Sequence, residues 1–235
     1  MIANTARCRS WFGAQRRAAT DSKAEPPVPL NPARLRLALH CANLTVDFPD
    51  HMAETRVKAQ LMSASEIDRT LVRLAHEILE KTADLDKLAF IGIRRRGVPL
   101  AGRIAAKIEA IEKRKVPVGI LDISLYRDDL STIADTPVLS KSDIPFSVAG
   151  KDVILMDDVL YTGRTIRAAL DGLFRNGRPS RVQLLALIDR GHRELPIEAS
   201  YVGRKVQTSD IETIEVKFQE IDQTEKVLLV ERLDG

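Results

Sequence analysis

The run Val153-Ile-Leu-Met-Asp-Asp-Val-Leu-Tyr-Thr-Gly-Arg-Thr165 carries the densest chemistry in the chain. Four apolar residues read as a buried strand, and Asp157-Asp158 falls at its carboxyl end. Adjacent carboxylates there can accept hydrogen bonds from vicinal hydroxyls or reach a hydrated Mg²⁺. Val159, Leu160, Tyr161, Thr162, Gly163, Arg164 and Thr165 follow, supplying backbone N–H groups, two hydroxyls and one guanidinium ahead of a helix. Such a loop suits a phosphate monoester. One ligand that matches both halves is a ribose 5-phosphate. By type and spacing alone, the same stretch could also hold a metal or serve only as a structural turn.

The elements that must position these groups alternate between strands and helices. Ser63-Ala-Ser-Glu66 and Ser65-Glu-Ile-Asp68 are both capping-box candidates. Ile67, Leu71, Leu74, Ala75, Ile78 and Leu79 then recur at helical spacing to about residue 82. Strands are expected at 88–93, 116–124, 153–156 and 182–188. Helices are expected after Gly97, with Leu100, Ile104 and Ile108 apolar, and over 164–176, closed by Asn176-Gly177. Short strands near 199–203, 213–218 and 226–231 finish the chain. Residues 126–147 are polar and aperiodic, a long loop of the kind that often serves as a lid. The alternation predicts an α/β fold, with a mostly parallel central sheet flanked by helices and ligands bound outside the carboxyl ends of its strands.

Composition narrows the function classes. The 235 residues suffice for one sizeable core, and no apolar run is long enough to span a membrane. Residues 1–51 hold seven Lys/Arg and four acids. The residues after them carry 29 of the chain's 36 basic and 29 of its 33 acidic side chains. The main domain is therefore neutral and would bind nucleic acid only through a local patch. Both cysteines, Cys8 and Cys41, lie in the first segment. The absence of cysteine beyond it excludes thiolate chemistry there and fits a reducing, cytoplasmic setting. Residues 1–51 also carry Pro26, Pro27, Pro29 and Pro32. They read as a disordered or accessory extension, through an early start, a targeting segment or a partner-binding tail, with the compact domain at 52–235.

The 153–165 stretch resembles the 5-phosphoribosyl-1-diphosphate (PRPP) motif of type I phosphoribosyltransferases. Three further runs, Ile93-Arg-Arg-Arg-Gly97, Asp122-Ile-Ser-Leu-Tyr-Arg-Asp-Asp-Leu130 and Asp189-Arg-Gly-His-Arg-Glu-Leu-Pro196, resemble the bifunctional PyrR family. Its members are pyrimidine-operon attenuators with uracil phosphoribosyltransferase activity. The similarity covers roughly residues 62–232. It implies a type I fold with a small hood built from the chain ends.

Roles follow from the resemblance residue by residue. Asp157 and Asp158 would hold the ribose, and the loop to Thr165 the 5′-phosphate. Arg95 and Arg96 would fall on the pyrophosphate loop, where a non-prolyl cis peptide is usual. Arg95 stands where a small polar residue is common. Arg94 could join them or simply be solvated. Arg127, in a loop that closes over PRPP, would neutralise diphosphate charge. Asp189 and Arg190 would contact uracil, largely through backbone. Mg²⁺ would arrive with PRPP, with no direct protein ligand. Arg73, His76, His192 and Arg204 would form the surface for a pyrimidine-operon leader mRNA, and Val72 departs from the family's usual Thr. UMP or UTP would be the effector, in a homodimer or higher homo-oligomer. Two rivals remain: a nucleotide sensor with little turnover, and a salvage transferase for another base.

Overall fold

The computed structural model describes residues 55–124 and 142–233. In chain order these form β1 (Thr55–Ser63), α1 (Ala64–Lys81), β2 (Leu88–Ile93), α2 (Gly97–Glu112), β3 (Val118–Leu121), β4 (Asp152–Leu160), α3 (Arg164–Arg175), β5 (Arg181–Asp189), β6 (Tyr201–Lys205), β7 (Glu212–Lys217), α4 (Gln219–Asp222) and β8 (Lys226–Arg232). The N-terminal extension, Arg127 and the rest of Tyr126-Arg-Asp-Asp129 lie outside the described residues.

The main sheet has the order β3-β2-β4-β5-β6, with every pair parallel. Its central strands are covered on both faces, so they read as continuous apolar runs rather than alternations. All six residues of β2 are buried. Leu88, Phe90, Ile154, Met156, Leu185 and Leu187 face α1 and α2, whereas Ile91, Ile93, Val153, Leu155 and Ala186 face α3. The α1 stripe packs as its spacing requires, with Ile67, Leu71, Leu74, Ala75 and Ile78 buried. Ser63 takes the N-cap position of α1. The Glu66 carboxylate reaches back, accepting from the Ser63 backbone N–H at 2.8 Å and from its hydroxyl at 2.7 Å.

A second sheet, of order β1-β8-β7, is antiparallel and joins the two ends of the domain. This is the expected hood. Met62, Ile214, Val216, Phe218 and Val227 tie it into the core on the α1/α2 side. Strand β1 was not foreseen. Its first six residues are exposed, so it has no alternating apolar pattern to read and exists by pairing with β8. The strand expected at 116–124 is confined to 118–121, because Asp122 and Ser124 turn the chain out of the sheet.

Candidate active site

Three strand ends, of β2, β3 and β4, meet in one cleft. Arg94, Arg95, Arg96, Asp122, Ile123, Ser124, Asp157, Asp158, Val159 and Thr165 line a space of about 630 Å³. The sheet order therefore sets the sequence of subsites. The β3 and β2 ends bring Asp122 and the arginines, β4 brings the carboxylate pair and the 161–165 loop, and β5 brings the Asp189 turn.

Two glycines let this cleft close on itself. A Cβ on Gly97 would stand 2.1 Å from the Met156 carbonyl oxygen, and one on Gly92 would stand 2.5 Å from the Gly97 carbonyl. Neither distance is possible between non-bonded heavy atoms, so only glycine lets the β2–α2 turn lie against β4. That contact sets Arg94–Arg96 beside Asp157. A cis peptide joins Arg94 to Arg95, one residue ahead of the Arg95–Arg96 position expected from the resemblance.

Strand β4 runs further than its apolar core, through Leu160, and carries both carboxylates within the sheet. Asp157 is 7% exposed, and its Oδ1 accepts the Asp158 backbone N–H at 3.0 Å. Burial, then the neighbouring Asp158 charge, pushes the Asp157 carboxyl well above an aspartate's ordinary range. Burial also raises Asp158, with the Arg96 charge pulling the other way. The pair is thus set for a partner that brings donors or positive charge.

After Leu160 the chain turns through Gly163, at φ 94°, into α3. Helix-terminal N–H groups there lack intrahelical partners, as an anion site needs. The Arg164 side chain points elsewhere, donating from Nε to Glu194 at 2.6 Å.

The 161–165 loop is braced against the turn that follows β5. Thr162 O accepts from Glu194 N at 3.0 Å and Leu195 N at 3.2 Å, and Leu160 O accepts from Arg190 N at 2.9 Å. Arg193, absent from the sequence expectations, locks this joint. Its guanidinium donates to Tyr161 O at 2.6 Å, Gly191 O at 2.9 Å and Ile197 O at 3.0 Å, and pairs with Asp189. Its spacing four residues after Asp189 was the available signal.

Asp189 and Arg190 both serve the turn with their side chains. Asp189 accepts from Gly191 N and Arg193. Arg190, 7% exposed, donates to Thr208 Oγ1 at 2.7 Å and to the Ser209 and Glu212 carbonyls. Its guanidinium lies 3.9 Å from the Tyr161 ring centroid. The Arg190 side chain is thus committed within the protein, and a base meeting this turn would meet its backbone.

Arg96 is also held from a distance. Its Nη2 donates to Asp222 of α4 at 2.8 Å, and its buried Nε has no hydrogen-bond partner. Nothing in the local sequence around Asp222 marks that contact.

The expected nucleic-acid residues fall in three places: α1, β6 and the turn after β5. Arg73 and His76 are exposed on α1. Arg73 donates to the Val202 and Gly203 carbonyls of β6 at 2.9 and 2.8 Å, so it also anchors that edge strand. Arg204, next along β6, bonds the Leu61 carbonyl. His192 lies beyond the strand ends, its Nε2 2.7 Å from Thr208 O and its ring 5.9 Å from that of Tyr161. It adjoins Tyr161 rather than α1.

Comparison with known proteins agrees with this architecture. Residues 60–221 match the phosphoribosyl transferase domain family. The bifunctional protein PyrR of Pelotomaculum thermopropionicum is 57% identical over 176 residues, spanning 75% of this chain and 97% of that one. The bifunctional protein PyrR of Thermus thermophilus is 54% identical over 177 residues, spanning 75% and 98%. Among solved structures, a hypoxanthine phosphoribosyltransferase of Trypanosoma cruzi superposes with a TM-score of 0.59 at 17% identity, covering 76% of this chain and 97% of that one. A hypoxanthine-guanine phosphoribosyltransferase of Bacillus anthracis gives 0.55 at 20%, covering 75% and 99%. The last two bear on fold alone. With the sheet, the hood and the acidic pair in place, the chain belongs to the PyrR family of phosphoribosyltransferases.

Proposed function

We propose that this protein transfers a phosphoribosyl group from PRPP to uracil, giving UMP and diphosphate, and that it also binds a pyrimidine-operon leader RNA in response to UMP or UTP. The observation that carries the enzymatic half is the Asp157–Asp158 pair, Asp157 buried and Asp158 half-buried, between a cationic turn and the loop that leads into α3. The C1′–diphosphate bond breaks, the bond from uracil N1 to C1′ forms, and the N1 proton is released. Positive charge develops on the ribose and negative charge on the leaving group. Asp157 and Asp158 hold the ribose hydroxyls. Residues 161–165 fix the 5′-phosphate, Arg95 and Arg96 face the diphosphate, and the role assigned to Arg127 is to neutralise its charge. These roles need no covalent nucleophile, so rate comes from positioning and electrostatics.

Among the described residues no cluster of three or more His, Cys, Asp or Glu side chains could hold a metal. A divalent ion would arrive with PRPP, and Asp157 and Asp158 would hold the hydroxyls beside it. The acidic pair suits that arrangement, because nearby positive charge relieves the cost of burying it. Mg²⁺ bound there would neutralise the diphosphate and ease its departure.

Regulation rests on Arg73, His76, Arg204 and His192. The domain has few aromatics, so RNA would be read by loop shape, phosphate contacts and a few polar base contacts. A homodimer would join two such faces. No described helix is long and apolar enough to cross a membrane, and the proposed setting is cytoplasmic.

The test pairs uracil turnover with RNA binding by the full chain, with and without UMP. UMP should tighten leader-RNA binding. His76→Ala should weaken it by about tenfold, the scale of one lost polar contact. His76 is the cleaner probe, because Arg73→Ala also frees the Val202 and Gly203 carbonyls. No RNA binding at moderate salt would leave a salvage transferase, and RNA binding without turnover would leave a nucleotide sensor.

A further inference from the structure

Asp122 is a buried acid that the proposed reaction does not use. It stands at the end of β3, on the far side of the arginine turn from the ribose carboxylates, and is 6% exposed. Its Oδ1 is fully engaged, accepting from the Ser124 N–H at 2.9 Å and the Ser124 hydroxyl at 2.6 Å. Its backbone N–H donates to Ser142 Oγ at 3.0 Å. Its Oδ2 is buried in the wall of the cleft with no hydrogen-bond partner. Leaving a buried carboxylate oxygen unmatched is costly, and such atoms call for a role.

The nearest cation is Arg94. Its Nε lies 3.5 Å from Asp122 Oδ2, an ion pair too long for a good hydrogen bond. The Arg94 backbone is fixed, its N–H donating to Leu121 O at 2.9 Å, while its side chain is 39% exposed and lines the cleft. An arginine gripped at Nε by a carboxylate presents its two Nη groups as a fork, the geometry that meets a phosphate bidentately.

We propose that Arg94 is a ligand of the diphosphate end of PRPP and that Asp122 is the positioning residue that aims it. The loose Nε–Oδ2 contact shortens when the anion draws the guanidinium into line. This rests on the reading of the cleft as a PRPP site. It gives Arg94 a role apart from Arg96, which Asp222 holds instead.

The experiment titrates the full-length protein, with Mg²⁺ present, with inorganic diphosphate and separately with UMP, and measures KM for PRPP. Arg94→Ala should weaken diphosphate binding by about tenfold or more, the scale of a charge-assisted contact. Asp122→Asn keeps an acceptor for Ser124 but loses the charge facing Arg94, and should weaken diphosphate by roughly threefold to tenfold. The double variant should be no worse than Arg94→Ala, because Asp122 acts through Arg94. UMP has no diphosphate at C1′, so its affinity should hold within about twofold in every variant, which a merely structural defect would not allow. Multiplying single effects, unchanged diphosphate binding, or an equal loss of UMP would each overturn the proposal. Should Asp122→Asn fail to fold, Arg94→Lys decides. Retained charge without the fork should still lose most of the affinity, and full retention would refute the bidentate role. Wild-type protein that binds neither diphosphate nor PRPP would instead sink the reading of the site itself.

Discussion

Replacing Asp157 with Asn should make the ligand-free protein more stable while disabling it. Asp157 sits in the main sheet, 7% exposed, with Asp158 beside it. Burial and that second charge raise its carboxyl well above the ordinary 3.8. In the unfolded chain neither influence acts. The folded state therefore keeps a proton that the unfolded state has already released. Its stability is undiminished below the ordinary value and declines as pH rises from there through the elevated one. Each unit of elevation costs the folded protein about 1.4 kcal/mol above both values. Asn is nearly isosteric, keeps an oxygen for the Asp158 N–H now accepted at 3.0 Å, and carries no charge. Relief of about 1–3 kcal/mol at neutral pH is the scale expected for removing an uncompensated buried charge. For a domain of this size that raises the melting midpoint by roughly 3–10 °C. The assay is calorimetric melting of both proteins in a chelator, from about pH 5 to about pH 8. The variant's advantage should widen with pH and shrink when Mg²⁺ and PRPP are added, because ligand stabilises only the wild-type pair strongly. Turnover should fall at least about a hundredfold. A variant that melts lower than wild type at every pH, or a gap that does not change with pH, would refute the argument that burial strains this pair.

Gly97→Ala should cost about 2–4 kcal/mol in urea denaturation, because its Cβ meets the Met156 carbonyl and the arginine turn cannot lie on β4. PRPP affinity should fall with it. Arg190→Met should raise KM for uracil more than KM for PRPP and destabilise by about 2–4 kcal/mol, since it strips donors from Thr208, Ser209 and Glu212 and the cation from the Tyr161 face. Glu212 titrates the other way from Asp157. Hydrogen bonds from Lys58 and Ser209 lower its carboxyl from 4.5 to about 2. Its stabilisation is present above 4.5 and is lost as pH falls through about 2. Glu212→Gln should therefore flatten the acid limb of an unfolding curve and leave the neutral region's slope unchanged.

What could be read from the sequence was contiguous. The run from Val153 to Thr165 builds a strand, a carboxylate pair and a helix-start loop from neighbours, so its local form follows from its pattern. The α1 stripe and the buried β2 were legible because periodicity and unbroken apolar runs are local signals of burial. The Asp189 run likewise marked its turn.

The rest depended on contacts between residues distant in sequence. Strand β1 shows no apolar alternation and becomes a strand only where β8, at the other end of the domain, pairs with it. Asp222 reaches Arg96 across 126 positions, and Arg73 reaches β6 across 129. Asp122 stood in the sequence as the first letter of a loop motif, and only the sheet order placed it beside Arg94. Local sequence determines which backbone forms and which groups share a turn. The order in which strands assemble decides which charges face one another, because that order is set by burial of the whole core and not by any single segment.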